Sequence, residues 1–347
     1  MTYPVLLGLG TALPDRCYPQ EEILALLAPH LNHNPRARAI FSNAGIASRY
    51  LAVDGSYYEV ELTTQARNER YMEEAQRIGE QAIERALAAA GVDRANVDDL
   101  IVVSCTGIDT PGLDLKLAGS QGLSPWLHRA NVLGMGCYGA FPGLLRAGEA
   151  AAAGRTALLL CVEICSLHFQ PGDDSLENIV SSALFADGAA AVVLGSAENG
   201  GTGAMRLVDS VTYSDYQTFD HMAFHLTDHG FRMALSSYVP KLLAANIEEF
   251  ADKLLDRNGL TRAEIDHWGV HPGSSKILDY VQERLGLAED ALDPSRKVLR
   301  DYGNMSSVTV LFVLEEIRRS RRPTPGEYAV IMAFGPGLTM EAALVQF

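Results

Sequence analysis

The chain is short of positive charge, of cysteine and of long apolar runs, and each shortage removes a class of function. Lysine and arginine number 28 against 43 aspartates and glutamates, a formal charge of -15 over 347 residues. That balance, with a pI near 5.0, argues against nucleic acid as a main partner, because backbone recognition needs concentrated positive charge. A local basic mouth for a phosphorylated substrate remains compatible with it. No apolar stretch approaches the roughly 18 residues a membrane-spanning helix requires, so no membrane span is expected. The opening MTYPVLLGLGTALPDR has neither a basic leader nor a small-residue cleavage site, and a cytoplasmic protein is expected. The five cysteines, Cys17, Cys105, Cys137, Cys161 and Cys165, form an odd and sparse set. They read as free thiols in a reducing compartment. Cys161 and Cys165 have only His168 beside them in LLLCVEICSLHF. That segment reads as buried, and no metal site is expected there.

What is present is a rhythm. Short apolar runs lie at 4–9, 98–107, 156–163, 189–195, 267–273, 329–337 and 340–347. Helical stretches are expected at 21–30, 71–91, 138–153, 232–256, 274–285 and 306–319. In the strongest, 71–91, Ile78, Ala82, Ile83, Ala86 and Leu87 recur at helical spacing before a terminating glycine. Strand runs alternating with helices predict an α/β fold whose sheets are covered on both faces. The glycine-rich SAENGGTGAMRL at 196–207 divides the chain. An N-terminal half, 1–200, and a C-terminal half, 201–347, are expected as a duplicated architecture packed as one body.

The most informative residue is Cys137, inside LGMGCYGAFPG at 133–143. An apolar run reaches a glycine-rich turn and then a helical stretch, an arrangement whose free N–H groups favour a thiolate. His271, in HWGVHPGSSKIL, follows another apolar run; its plain reading is a structural histidine. Asn304, in DYGNMSSVTVLFVLEEI, precedes a helical stretch and reads plainly as a cap. Together the three suffice for acyl chemistry. A thiolate attacks a thioester and becomes acylated, and the imidazole favours the thiolate as a resting ion pair. The imidazole N–H and the asparagine amide then face a developing oxyanion, one such donor contributing roughly 3 kcal/mol. The same donors suit the enolate left when a malonyl thioester loses carbon dioxide.

These three segments, with EICSLHF, ALFADGAAAVVLG and AFGPGLTMEAAL in order, resemble the type III polyketide synthases, the chalcone and stilbene synthase family. The resemblance runs over almost the whole chain. It implies a thiolase-like fold with a duplicated αβαβα layered core, a homodimer, and an acyltransferase working on coenzyme A thioesters without a further cofactor. Cys137 would carry starter and growing chain while His271 and Asn304 assist loading, decarboxylation and condensation. Ketoacyl synthases that initiate fatty acid synthesis share fold and triad, but tend to follow the histidine with glutamine, alanine and asparagine. Here Pro272 and Gly273 follow.

The resemblance also implies the rest of the site. Phe185 and Met233 correspond to a gate between the pantetheine tunnel and the cavity, methionine making it softer than a pair of rings. Cys105, Cys165 and His168 stand where chalcone synthases have cavity threonines. Phe224 replaces a glycine, taking volume from the starter side. Thr110 matches a loop residue reaching across the dimer into the neighbouring cavity. Ser306, Gly335 and Pro336 shape the wall without a catalytic role, and His225 and His229 read as structural or solvent-facing. Arg36, Arg38 and Arg49 are expected to meet coenzyme A phosphates. That set is thin, which makes delivery by an acyl carrier protein an alternative. Cys105 and Phe224 together resemble bacterial naphthol-forming members. The expected reaction is iterative extension of a malonyl or short acyl starter by malonyl-CoA and cyclisation, to a tetrahydroxynaphthalene-type product. The alternatives are alkylpyrone or alkylresorcinol formation from longer acyl-CoA starters, and single-round acyl transfer of the ketoacyl synthase kind.

Overall fold

The apolar runs become neighbours in one twisted sheet. In a computed structural model, which describes residues 3–196, 203–235 and 239–347, thirteen strands are assigned. They are β1 (Pro4–Ala12), β2 (Cys17–Pro19), β3 (Ser48–Tyr50), β4 (Asp99–Ser104), β5 (His128–Leu133), β6 (Ala157–Ile164), β7 (Asp187–Ser196), β8 (Met205–Ser214), β9 (Met222–Thr227), β10 (Gly230–Leu235), β11 (His267–Val270), β12 (Tyr328–Gly335) and β13 (Thr339–Gln346). The helices are α1 (Gln20–Leu27), α2 (Pro35–Ser42), α3 (Thr64–Ala90), α4 (Leu113–Ser120), α5 (Ala140–Ala152), α6 (Leu176–Leu184), α7 (Val239–Arg257), α8 (Ser275–Leu285), α9 (Asp293–Tyr302) and α10 (Thr309–Arg321).

The sheet order β11-β12-β13-β8-β1-β7-β6-β4-β5 contains the same motif twice. In the first half β4 and β6 are parallel, β7 runs against β6 and β1 against β7. In the second, β11 and β12 are parallel, β13 runs against β12 and β8 against β13. Only Val5–Arg206 and Leu6–Met205 join the halves across β1 and β8. Every residue of β4, β6 and β7 is buried, which explains why these strands read as continuous apolar runs. Helix α3 packs one face with β1, β4, β6 and β7. Helices α5 and α10 fill the layer between the two halves, and α7 and α8 cover the far face of β11–β13. This is the duplicated αβαβα, thiolase-like fold.

The local signals explain most boundaries. Thr63 caps α3 by accepting from the Ala66 N–H, and Gly91 ends it in the left-handed region. The helix therefore starts about two turns before the expected residue 71. One expected helix is cut short: 232–235 belongs to β10, paired antiparallel with β9 (Arg232 opposite His225, Met233 opposite Phe224), and α7 begins at Val239. Tertiary pairing outweighs a weak local preference in so short a run. Residues 236–238 of that stretch, and 197–202 of the dividing segment, lie outside the described residues. Among the described residues no helix is long and apolar enough to cross a membrane.

Candidate active site

Cys137 stands on a tight turn, Gly136–Tyr138, three residues before α5. The turn is forced close to the second half. A Cβ on Gly136, whose φ is +65°, would meet Pro336 Cδ at 2.6 Å. A Cβ on Gly335 would lie 2.7 Å from the Tyr138 ring and 3.3 Å from the Cys137 nitrogen. Gly335 and Pro336 thus form the backing of the turn, outside the lining of the two cavities described below. Cys137 itself is 6% exposed. Burial pushes its thiol up to about 12, assisted by the nearby Glu163. Hydrogen bonds from the side chains of Ser306 and Asn304 and from its own N–H oppose that rise without cancelling it.

His271 follows the end of β11, where its N–H donates to the Met332 carbonyl at 2.8 Å. Its imidazole is buried, neither ring nitrogen has a partner, and burial pulls it down to about 3. In this enclosure desolvation disfavours the thiolate and the imidazolium alike, each taken alone, and so works against the expected resting ion pair. Asn304 is fixed by the adjacent chain: its N–H donates to the Leu184 carbonyl, and its own carbonyl accepts from Ala186. Its Oδ1 accepts from the Ser306 N–H at 2.8 Å, leaving the amide Nδ2 as the group available to sulfur or substrate. The capping reading and the chemical one describe opposite ends of the same side chain.

Two cavities meet here. The outer, about 540 Å³, is lined by Cys137, His271 and Asn304 together with Phe185, Met233, Met222, Val180, Ile277 and Phe334. The inner, about 60 Å³, is lined by Cys105, Cys165, His168, Ser306, Phe224 and Arg49, and again by Phe185 and Met233. Phe185 and Met233 are the wall the two share. Phe224 turns its edge to Phe185, ring centroids 5.8 Å apart at 65°. His168 is held by Thr106 O at 2.7 Å from Nε2 and by the Phe231 N–H on Nδ1. That pairing assigns the proton to Nε2, and burial lowers the ring to about 4.

One sequence expectation lands elsewhere. Arg49 is not at a coenzyme A entrance: it is 2% exposed, donating to Gln20 Oε1 at 3.0 Å and to the Phe185 carbonyl at 2.5 Å. Its position at the inner strand β3, rather than on a surface helix, puts the guanidinium inside. Arg36 and Arg38 are exposed on α2, outside both cavity linings. Thr110 is exposed before Pro111 and lines neither cavity of its own chain.

Sequence reasoning missed Glu163. It is fully buried on β6, and Oε2 accepts from the Cys105 N–H (2.9 Å), the Thr106 hydroxyl (2.8 Å) and the Ser104 hydroxyl (3.2 Å). Oε1 accepts from Ser307 Oγ at 2.5 Å and Cys105 Sγ at 3.4 Å. Ser306, at φ +51°, brings its hydroxyl 3.3 Å from the same Cys105 sulfur. A lone carboxylate in the apolar run LLLCVEIC was the available signal. Lys276, at the start of α8, also lines the outer cavity.

A thiolase-like fold carrying a cysteine, a histidine and an asparagine on one buried cavity defines a condensing enzyme of the acyltransferase kind. Known proteins narrow the class. The family model "Chalcone and stilbene synthases, N-terminal domain" matches residues 2–198, and "Chalcone and stilbene synthases, C-terminal domain" matches 212–347. A 1,3,6,8-tetrahydroxynaphthalene synthase of Streptomyces peucetius subsp. caesius is 35% identical over 98% of this chain and 92% of its own length. A 3,5-dihydroxyphenylacetyl-CoA synthase of Amycolatopsis balhimycina is 32% identical over the same shares. Among solved structures, PKS-I of the brown alga Ectocarpus siliculosus superposes with a TM-score of 0.93 at 32% identity, covering 100% of this chain and 98% of that one. The type III polyketide synthase domain of Steely1 from Dictyostelium gives 0.91 at 27%, covering 99% of both chains. The chain belongs to the chalcone and stilbene synthase family, the type III polyketide synthases, enzymes that condense coenzyme A thioesters iteratively.

Proposed function

We propose that this enzyme primes Cys137 with a malonyl or short acyl group, extends it with several malonyl units and cyclises the chain, to a tetrahydroxynaphthalene-type product. The observation that carries the reading is the shared wall. Cys137, His271 and Asn304 open on one cavity, and Phe224 against Phe185 keeps the chamber beyond it small. The Phe224 ring occupies volume that a bulky aromatic starter would need.

In loading, the Cys137 proton passes to the imidazole as the thioester carbonyl enters, sulfur attacks that carbonyl, and the departing coenzyme A sulfur takes the proton. In extension, carbon dioxide leaves a malonyl thioester. The enolate oxygen accepts from a His271 N–H and the Asn304 amide, and the enolate carbon attacks the acyl carbonyl on Cys137; the acyl–sulfur bond breaks, the Cys137 sulfur leaves and takes up a proton, and the lengthened chain, now on coenzyme A, is reloaded onto Cys137 for the next round. Loss of either donor is expected to cost about 10²–10³ in rate. Phe185 and Met233 act as the gate between the chambers. The open edge of β5, exposed along most of its length and flanked by Trp126 and Leu133, 90% and 41% exposed, supports a homodimer formed there.

Incubation with malonyl-CoA alone, followed by mass analysis, tests the reading. A polyketide built only from malonyl units is expected, and Cys137→Ala should abolish it together with covalent loading. Product formed only after a long-chain acyl-CoA is added would favour the pyrone or resorcinol alternative instead.

A further inference from the structure

The ribbon β9–β10 is a cavity wall with no sheet behind it. Its strands pair only with each other among the described residues. Yet it carries Phe224 into the inner cavity, Met222 into the outer and Met233 into both. Side chains of other elements must therefore fix it against the body. At its turn, Thr64 of α3 donates from Oγ1 to the Thr227 carbonyl and accepts from the Gly230 N–H at 2.7 Å. Further along, Arg232 pairs with Asp173 at 3.1 Å. Between them, the groups of Phe231 that point out of the ribbon meet the segment after β6. The Phe231 N–H donates to His168 Nδ1 at 3.2 Å, and its carbonyl accepts from Gln170 Nε2 at 3.4 Å. His168 alone of these has its other ring nitrogen bonded to the core: Nε2 donates to the Thr106 carbonyl at 2.7 Å. Thr106 is itself fixed, its hydroxyl donating to Glu163 and accepting from the Ile164 N–H. The imidazole lies edge-on to Phe231, centroids 4.9 Å apart at 80°, and a Cβ on Gly230 would come within 2.8 Å of Nδ1. With both nitrogens bonded, tautomer and ring orientation are set together.

We propose that His168 is a positioning residue for this ribbon: through Nδ1 it fixes where Phe224 and Met233 stand, and so how many extensions the chamber accommodates. The proposal rests on the reading of Cys137 as acyl acceptor and of the inner cavity as the chamber that receives the growing chain. A wall that shifts changes the space at every extension, because packed walls respond to changes as small as one methylene. Loading of Cys137 is separate, since it takes place in the outer cavity, which His168 does not line. The role lies in the acceptor at Nδ1, more than in the bulk of the ring. Asparagine and glutamine separate the two bonds. Asparagine Oδ1 stands as many bonds from Cβ as Nδ1 does, and accepts from the Phe231 N–H. Glutamine Nε2 reaches toward Thr106 as the ring Nε2 does, and leaves Phe231 without its acceptor.

The test compares the full chain with His168→Asn, His168→Gln and His168→Leu. Three readouts are taken: hydrogen exchange of peptides covering 222–235, the mass distribution of products from malonyl-CoA, and the rate of acyl loading on Cys137 by intact mass. The parent and the asparagine variant are expected to share one product profile and a protected ribbon. In the glutamine and leucine variants the ribbon should exchange about fivefold faster, and the ratio of side products to main product should rise about fivefold, the scale of one net hydrogen bond. Loading should stay within about twofold in all three. If the leucine variant does not fold, the asparagine and glutamine pair carries the comparison. A profile that follows side-chain size, most altered in the asparagine variant and least in the glutamine one, overturns the proposal and marks a residue that only fills space. Unchanged exchange and products in the glutamine variant overturn it too. So does a loss of loading and product together in step with melting temperature, which marks a structural residue. Absence of any adduct at Cys137 in the parent instead removes the reading on which the proposal rests.

Discussion

Burial, which pushes the Cys137 thiol up and the His271 imidazole down, makes a prediction about the reactivity of Cys137. Iodoacetamide alkylates only the thiolate, and Cys137 reaches solvent through the outer cavity it lines. With the thiol pushed up to about 12, roughly one molecule in 10⁵ carries the thiolate at pH 7. The thiolate fraction then rises tenfold per pH unit. Alkylation of the resting enzyme should accelerate about a hundredfold between pH 7 and pH 9 and show no plateau in that window. Because His271 is neutral throughout, its own ring lying near 3, His271→Ala should leave this slope intact.

The assay is the rate of mass increase at Cys137, followed by peptide mapping to exclude Cys17, the exposed cysteine. Ser306→Ala adds a second arm. Its hydrogen bond is the largest influence holding the thiol down, so its removal should slow alkylation at every pH below the thiol's own. A plateau with a midpoint between pH 5 and 7 that vanishes in His271→Ala would refute the reasoning. It would show a resting ion pair whose mutual attraction outweighs its desolvation.

Four further outcomes follow from the geometry. Phe224→Gly removes the ring that meets Phe185; it should cost roughly 1–2 kcal/mol of stability, since the ring is half-buried, and admit a coumaroyl starter, whose continued exclusion from a folded variant would sink the volume argument. Arg36→Glu with Arg38→Glu should raise KM for malonyl-CoA about two- to fivefold at low salt, with kcat unchanged and the difference gone in high salt; no effect on KM would leave these arginines without a role at the entrance. Leu133→Glu puts a charge beside the β5 edge and should give a monomer by light scattering, whereas a persistent dimer would move the interface elsewhere. Glu163→Gln replaces an acceptor of five donors and should cost about 1–3 kcal/mol; an unchanged melting temperature would mean the carboxyl is already protonated.

The parts of the fold that were legible are those where burial writes itself into the chain. Strands β4, β6 and β7 are buried throughout, so they stand out as apolar runs whatever they pair with. Strand β5, HRANVL, is a sheet edge exposed at five of its six positions and carries no such signature. The β9–β10 hairpin is similar, held by pairing to its partner more than by its own pattern. In the site, Cys137, His271 and Asn304 could be picked out because each sits at an element boundary, Cys137 and Asn304 directly after a glycine and His271 before the proline–glycine break. Arg49 could not be placed, because an arginine looks the same in sequence whether it meets solvent or a buried carbonyl. The cost of ionising the pair was out of sight for a related reason. A turn before a helix favours a thiolate, but the enclosure that works against it is assembled from residues as distant as Phe185, Met233 and Phe334.

The lining of the outer cavity bears on how a malonyl carboxylate is discarded beside Cys137. In the outer cavity the carboxylate sits among Met222, Val180, Ile277 and Phe334, with Lys276 the one basic side chain in the lining besides the neutral His271. Among those apolar side chains a malonyl carboxylate is poorly stabilised, while the enolate left when carbon dioxide departs carries its charge to the His271 and Asn304 donors. Decarboxylation is therefore favoured beside Cys137, and it needs no permanently charged base. Phe185 lines both chambers, and its carbonyl is held by the buried Arg49. A change at Phe185 should thus alter which chains pass from the one chamber to the other.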